Sequence, residues 1–191
     1  MWKHGFIRDE VNYMAPTVVK LIIIRNLDDW LISMYHNPYY LYHETCCFEC
    51  FLTREQRLST HFGHRDQMIN YITSKPVNAT DEGRTIFEIR YSKLKQYRSY
   101  FNNHKNTVIV NLKYLQDKNN CHHFMTELNK KYNLGIRHII DEIPNHIKTG
   151  ELNSKNRKYD TTIGSKTRAI IDRLKNDNIE EWVDNLTFQM S

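Results

Sequence analysis

The stretch Val18-Val19-Lys20-Leu21-Ile22-Ile23-Ile24-Arg25-Asn26-Leu27-Asp28-Asp29-Trp30-Leu31-Ile32-Ser33-Met34-Tyr35 changes its hydrophobic period halfway along, and that change decides the fold class. Its first half is a nearly continuous apolar run rich in β-branched residues. Such a run predicts a strand buried on both faces of a parallel sheet, where helices cover both sides and no polar alternation is needed. Arg25-Asn26 breaks the run. Leu27, Trp30, Leu31, Met34 and Tyr35 then fall at i, i+3, i+4, i+7 and i+8, one face of an amphipathic helix. Asn26 suits the N-cap, and Asp28-Asp29 set negative charge where the helix dipole favours it. Arg25 is therefore expected at the carboxyl end of a strand, where open α/β sheets bind ligands, with Ser33 two turns into the following helix.

An arginine and a serine so spaced can converge on one anion, the guanidinium as a fork and the hydroxyl as one more donor. The same spacing also suits a loop-capping arginine and a helix-surface serine. The pattern R-N-x-x-D-x-x-x-S-x-Y, here Arg25, Asn26, Asp29, Ser33 and Tyr35, resembles the 3′-phosphate-binding segment of the sulfotransferases that use 3′-phosphoadenosine 5′-phosphosulfate (PAPS).

The totals bound the reading. At 191 residues, with 40% hydrophobic residues, 12 Tyr and 8 Phe, the chain suits one packed domain spanning 1–191 rather than disorder. Net charge is +5, from 27 basic and 22 acidic side chains. That excess suits an anionic cofactor and is too dispersed to call for specific nucleic-acid binding. The Asn-, Lys- and Ile-rich composition points to an A+T-rich genome, large viruses included. Met1-Trp2-Lys3-His4 opens polar, and the longest aliphatic run is Leu21–Ile24. Neither a secretory leader nor a membrane span is expected, which makes a soluble, intracellular setting the default.

Further landmarks follow along the chain. Lys3 and His4 lie about twenty residues before Arg25. Many sulfotransferases carry a Lys and a His on the corresponding segment, though not adjacent as here. The resemblance makes His4 the base for the acceptor hydroxyl and Lys3 a charge stabiliser; otherwise the pair belongs to a basic terminus. Cys47 and Cys50 form a C-x-x-C, followed by His61 and His64. Four such ligands suffice for structural zinc, but the spacing is short of zinc-finger patterns, so reduced thiols and no bound metal are expected. Thr53-x-x-Gln56 reads as a capping box opening a helix through His61.

From Thr80 a long helix is expected on Ile86, Ile89, Leu94, Tyr97 and Phe101. Arg84, Arg90, Lys93, Lys95 and Arg98 form its charged surface, either a solvated face or the wall of an acceptor groove. Thr107–Leu112 is a second buried strand. It leads to Tyr114 and a helix through Phe124, Leu128 and Tyr132 that stops at Asn133-Leu134-Gly135. This strand, turn and helix resemble a second sulfotransferase landmark.

Lys155 and Arg157, in Ser154-Lys155-Asn156-Arg157-Lys158-Tyr159, are similar to the charged pair of a C-terminal loop in heparan-type sulfotransferases, which closes over the 3′-phosphate. Asn156 stands where the family has glycine. Two helices finish the chain, one on Ala169, Ile170 and Leu174 and one on Ile179, Trp182, Val183 and Leu186. No G-x-G-x-x-G and no G-x-x-x-x-G-K-[ST] occurs.

The resemblance implies an α/β fold: a three-layer parallel sheet flanked by helices, sulfotransferase-like and hence P-loop NTPase-like. It is expected to be N-terminally truncated, since the family's 5′-phosphosulfate loop has no counterpart before Trp2. It further implies sulfuryl transfer from PAPS to a hydroxyl-bearing acceptor of carbohydrate type, with Arg25, Ser33, Lys155 and Arg157 holding the cofactor. The alternative is an inactive remnant of the same fold that binds an anion or a partner.

Overall fold

The computed structural model describes residues 18–36, 41–42, 47–53, 55–58, 69–70, 75–76, 84–136 and 162–191. In chain order its elements are β1 (Lys20–Ile24), α1 (Leu27–His36), β2 (Leu41–Tyr42), α2 (Phe48–Thr53), β3 (Glu55–Leu58), β4 (Ile69–Asn70), β5 (Lys75–Pro76), β6 (Arg84–Thr85), α3 (Ile86–Asn103), β7 (Thr107–Asn111), α4 (Leu112–Leu115), α5 (Lys118–Tyr132), α6 (Ser165–Leu174), α7 (Asp177–Asp184) and β8 (Phe188–Met190). The protein is a mixed α/β fold in which helices predominate.

The two apolar runs of the sequence lie side by side. β1 and β7 pair in parallel, from Lys20 opposite Thr107 to Ile24 opposite Asn111. β7 is buried along its whole length and forms the centre of a three-stranded sheet ordered β1-β7-β8. The third strand runs antiparallel, with Val108 opposite Met190 and Val110 opposite Phe188. The sheet among the described residues is therefore mixed, where a parallel one was expected. Short antiparallel pairings join β2 to β3, β3 to β6, and β4 to β5.

Alternation along β7 divides the core. Ile109 faces α3 and α7, packing with Ile24, Leu94, Ile179, Val183 and Leu186. Val108 and Val110 face Phe124 and Leu128 of α5. Complete burial of a side chain such as Ile109 contributes about 1.5–3 kcal/mol relative to exposure. A third cluster is wholly helical, built from Leu27, Trp30, Leu31 and Met34 of α1, Phe51 and Leu52 of α2, Ile86, Phe87 and Ile89 of α3, and Ile171 of α6.

β1 departs from the expectation of burial on both faces. Its Ile22 and Ile24 point to α3 and α7, but Leu21 is 39% and Ile23 47% exposed. In register, Leu21 and Ile23 lie opposite Val108 and Val110, so they share the face that α5 covers only further along the sheet. A continuous apolar run thus hides an uneven strand.

The helix ends follow local chemistry. In α3 the Thr85 hydroxyl accepts from the Glu88 N–H, and the Glu88 carboxylate accepts from the Thr85 N–H at 2.7 Å. This capping box starts the helix at Ile86, six residues later than expected. α5 stops as expected, with Asn133 in the left-handed conformation at φ 49° and Gly135 at φ 68°. The capping box expected at Thr53 does not form. The Thr53 hydroxyl turns back to the Glu49 carbonyl at 3.0 Å, and the chain continues as β3 rather than as a helix.

Two basic residues assigned by sequence to the α3 surface are core residues. Arg90 is 3% and Lys93 5% exposed. Both fall on the stripe that carries Ile86, Ile89, Leu94 and Tyr97, so the helical period itself takes them inward. Burial pushes the Lys93 ammonium down to about 8 and the Tyr97 hydroxyl up to about 12.

The two residues act on stability in opposite directions. Below pH about 8 Lys93 is charged in both folded and unfolded chains, and its burial costs the fold in full. Between about 8 and the ordinary value of 10.5, the unfolded chain holds more protons, so stability rises with pH. Above pH 10 the unfolded chain ionises Tyr97 first, and stability falls again. We expect Lys93→Met to raise stability at pH 7 by on the order of 2–3 kcal/mol and to flatten the rise above pH 8. Urea denaturation from pH 6 to 11 measures both effects; an unaltered rise in the variant would assign it to another group.

Candidate anion site at the carboxyl ends of the parallel strands

β1 and β7 end together, at Ile24 and Asn111. The chain leaving β1 passes through Arg25 and Asn26 into α1, with the Trp30 N–H donating to the Asn26 carbonyl at 3.0 Å to close the first helical turn. The chain leaving β7 enters α4, capped by the Asn111 side-chain oxygen on the Lys113 N–H at 2.9 Å. Both exits are built from polar residues because a strand that stops must hand its backbone groups to other partners.

Contacts from α3 and α7 hold this edge. Arg90, arriving from α3, donates Nε to Glu180 Oε1 at 2.7 Å and Nη2 to Oε2 at 2.6 Å. Its Nη2 also donates to the Arg25 carbonyl at 3.0 Å, and its guanidinium lies 5.2 Å from the Trp30 ring centroid. From α7, Asp184 accepts from the Asn26 amide at 2.8 Å, and the Val183 carbonyl accepts from the Asn111 amide at 2.9 Å. Strand ends, α1, α3 and α7 are tied at one place.

Arg25 and Ser33 are both partly exposed. The hydrogen bond that reaches Arg25 goes to its main-chain oxygen. Among the described residues, no hydrogen bond or ion pair engages the Arg25 guanidinium or the Ser33 hydroxyl. Beside them, Asn26 Oδ1 is buried and accepts no hydrogen bond. The strand end thus offers a guanidinium fork and, on the following helix, a hydroxyl: the donor set for a phosphate or sulfate oxyanion.

Lys3, His4, Lys155 and Arg157 lie outside the described residues, as do His61 and His64 of the Cys/His set. Among the described residues, no group of three or more His, Cys, Asp or Glu gathers to hold a metal ion. Sequence reasoning missed the Arg90–Glu180 pair. Its signal was present: Arg90 lies four residues from Ile86 and Leu94, and Glu180 three from Val183, each charge on an apolar stripe.

Removing one member of a buried pair strands the other. Arg90→Met is expected to destabilise the fold by about 3–5 kcal/mol, whereas Arg90→Met with Glu180→Leu restores most of the loss. Chemical denaturation of the three proteins checks this, and equal losses in the single and double variants would deny the coupling. No family model, curated protein or solved structure matches this chain.

Proposed function

We propose that this chain is a sulfotransferase-like α/β protein whose β1 carboxyl end receives the 3′-phosphate of PAPS. The observation that carries the reading is the disposition of Arg25. Its main chain is fixed by Arg90 at the end of a strand in parallel pairing, while its guanidinium has no partner among the described residues. An anion bound there displaces no ion pair among the described residues. Ser33 adds a hydroxyl from α1, and Lys155 and Arg157 close over the same phosphate. The finer architecture proposed with this function is the three-layer, parallel-sheet fold of the sulfotransferases. Helix packing on both faces of β7 supports it.

In this proposal the acceptor is a hydroxyl, of carbohydrate type, held in line with the sulfur. His4 takes the hydroxyl proton as the new oxygen–sulfur bond forms. The sulfur–oxygen bond to the 5′-phosphate breaks, and adenosine 3′,5′-bisphosphate leaves. Lys3 offsets the negative charge that accumulates on the leaving phosphate.

A second reading keeps the anion site without the transfer. The antiparallel β8 favours it, because that strand departs from the parallel sheet of the resemblance. Sulfuryl transfer from PAPS to a panel of glycans and phenols separates the two: product supports the enzyme, and nucleotide binding without product supports the binding protein.

Titration calorimetry with adenosine 3′,5′-bisphosphate tests the site shared by both. Arg25→Ala removes a charge-assisted contact of about 1.5–3 kcal/mol, roughly a ten- to hundredfold loss of affinity, and Ser33→Ala a smaller neutral one. The unfolding midpoint of Arg25→Ala should stay within error of the parent. Absence of binding by the parent, or equal binding by Arg25→Ala, would sink the assignment.

A further inference from the structure

Cys47-Phe48-Glu49-Cys50 spans the start of α2 and includes none of the residues assigned to the nucleotide site above. The two sulfurs lie 2.7 Å apart, and the Cys50 N–H donates to Cys47 Sγ at 3.3 Å. Both residues are exposed, and no disulfide joins them. The residues beneath them are packed. Phe51 and Leu52 are fully buried in the helical core, and the Phe48 ring packs against Tyr35 with centroids 5.1 Å apart.

Glu49, between the cysteines, accepts the Thr167 hydroxyl of α6 at 2.6 Å. That hydrogen bond, with the Lys166 charge and the Cys47 thiol also acting on it, holds the Glu49 carboxyl below the usual carboxylate range. It is therefore an ionised acceptor in contact with the Cys47 thiol. Two accessible sulfurs lie against each other with an N–H on one of them, the geometry of a dithiol able to close and reopen.

We propose that Cys47 and Cys50 are a reversible dithiol–disulfide site whose substrates are small disulfides of the glutathione class. Cys47 loses its proton to solvent and attacks one sulfur of the substrate disulfide. The substrate S–S bond breaks, one half leaves as a thiolate that takes up a proton, and Cys47 is left in a mixed disulfide. Cys50, deprotonated, then attacks Cys47 Sγ and releases the second half as a thiol. Two cysteine thiols lose two electrons and two protons, and the substrate disulfide gains both. Cys47 is assigned as the attacking residue on the geometry of the Cys50 N–H, which points at its sulfur.

The test equilibrates the full chain anaerobically, with a chelator, in glutathione buffers running from reduced to oxidised. Acid quenching, alkylation, intact mass and peptide mapping follow. The expected result is a loss of two hydrogens that rises and reverses with the glutathione ratio and maps to a Cys47–Cys50 link. The link should persist in Cys46→Ser/Cys121→Ser. Cys50→Ser should accumulate several-fold more glutathione adduct on Cys47 than the parent. A dithiol unchanged at the oxidised end, or a link through Cys46 or Cys121 in the parent, overturns the proposal. The parent protein alone supports or overturns it, so a variant that fails to fold does not protect the idea.

Discussion

The end of β1 and its junctions with α1, α3 and α7 depend on one buried ion pair. Arg90 and Glu180 bring opposite charges out of water at 2.6–2.7 Å, and desolvating two such groups costs several kcal/mol per ion before attraction offsets it. The offset succeeds here because the guanidinium spends its remaining directions well. It reaches the Arg25 carbonyl and lies over the Trp30 ring, so the same side chain fixes a strand end and the first turns of α1. An apolar pair of equal volume could match the pair in stability. It could not fix α7 against α3 in one register and supply a donor to a strand that has run out of sheet partners.

That constraint explains why the sequence was readable in some places and opaque in others. The switch of period at Arg25-Asn26 is a local property, and β1 and α1 form where it predicts. Thr107–Leu112 was legible for the same reason, since a central strand buried throughout needs no alternation. The stop at Asn133 and Gly135 was legible because few residues accept positive φ. By contrast, β8 is three residues of mixed polarity whose strand state exists only because Val108–Val110 offer an open edge. Nothing in Phe188-Gln189-Met190 alone announces it.

The misread charges have a different origin. Arg90 and Lys93 were placed outside by residue type, while their positions on the α3 period placed them inside. Residue type is a prior about burial, and period is a geometric requirement. When the two conflict, the helix cannot rotate a single residue away from its stripe. Burial lowers the proton affinity of Lys93, and Arg90, which keeps its proton, is paired with Glu180.

The same strand end therefore carries two arginines with opposite fates. Arg90 is buried and commits its Nε and Nη2 to Glu180 and to the Arg25 carbonyl. Arg25 surrenders only its carbonyl to the fold, and its guanidinium has no partner among the described residues. A cation held by its backbone, with no side-chain partner among the described residues, is suited to an anion, because binding breaks no interaction among those residues and orders only one flexible arm. A capping arginine would be recognisable by the reverse pattern, with the guanidinium committed to nearby carbonyls. Arg90 shows that pattern and Arg25 does not, and this contrast favours a ligand-binding role for Arg25 over the structural one that its spacing in sequence equally allowed.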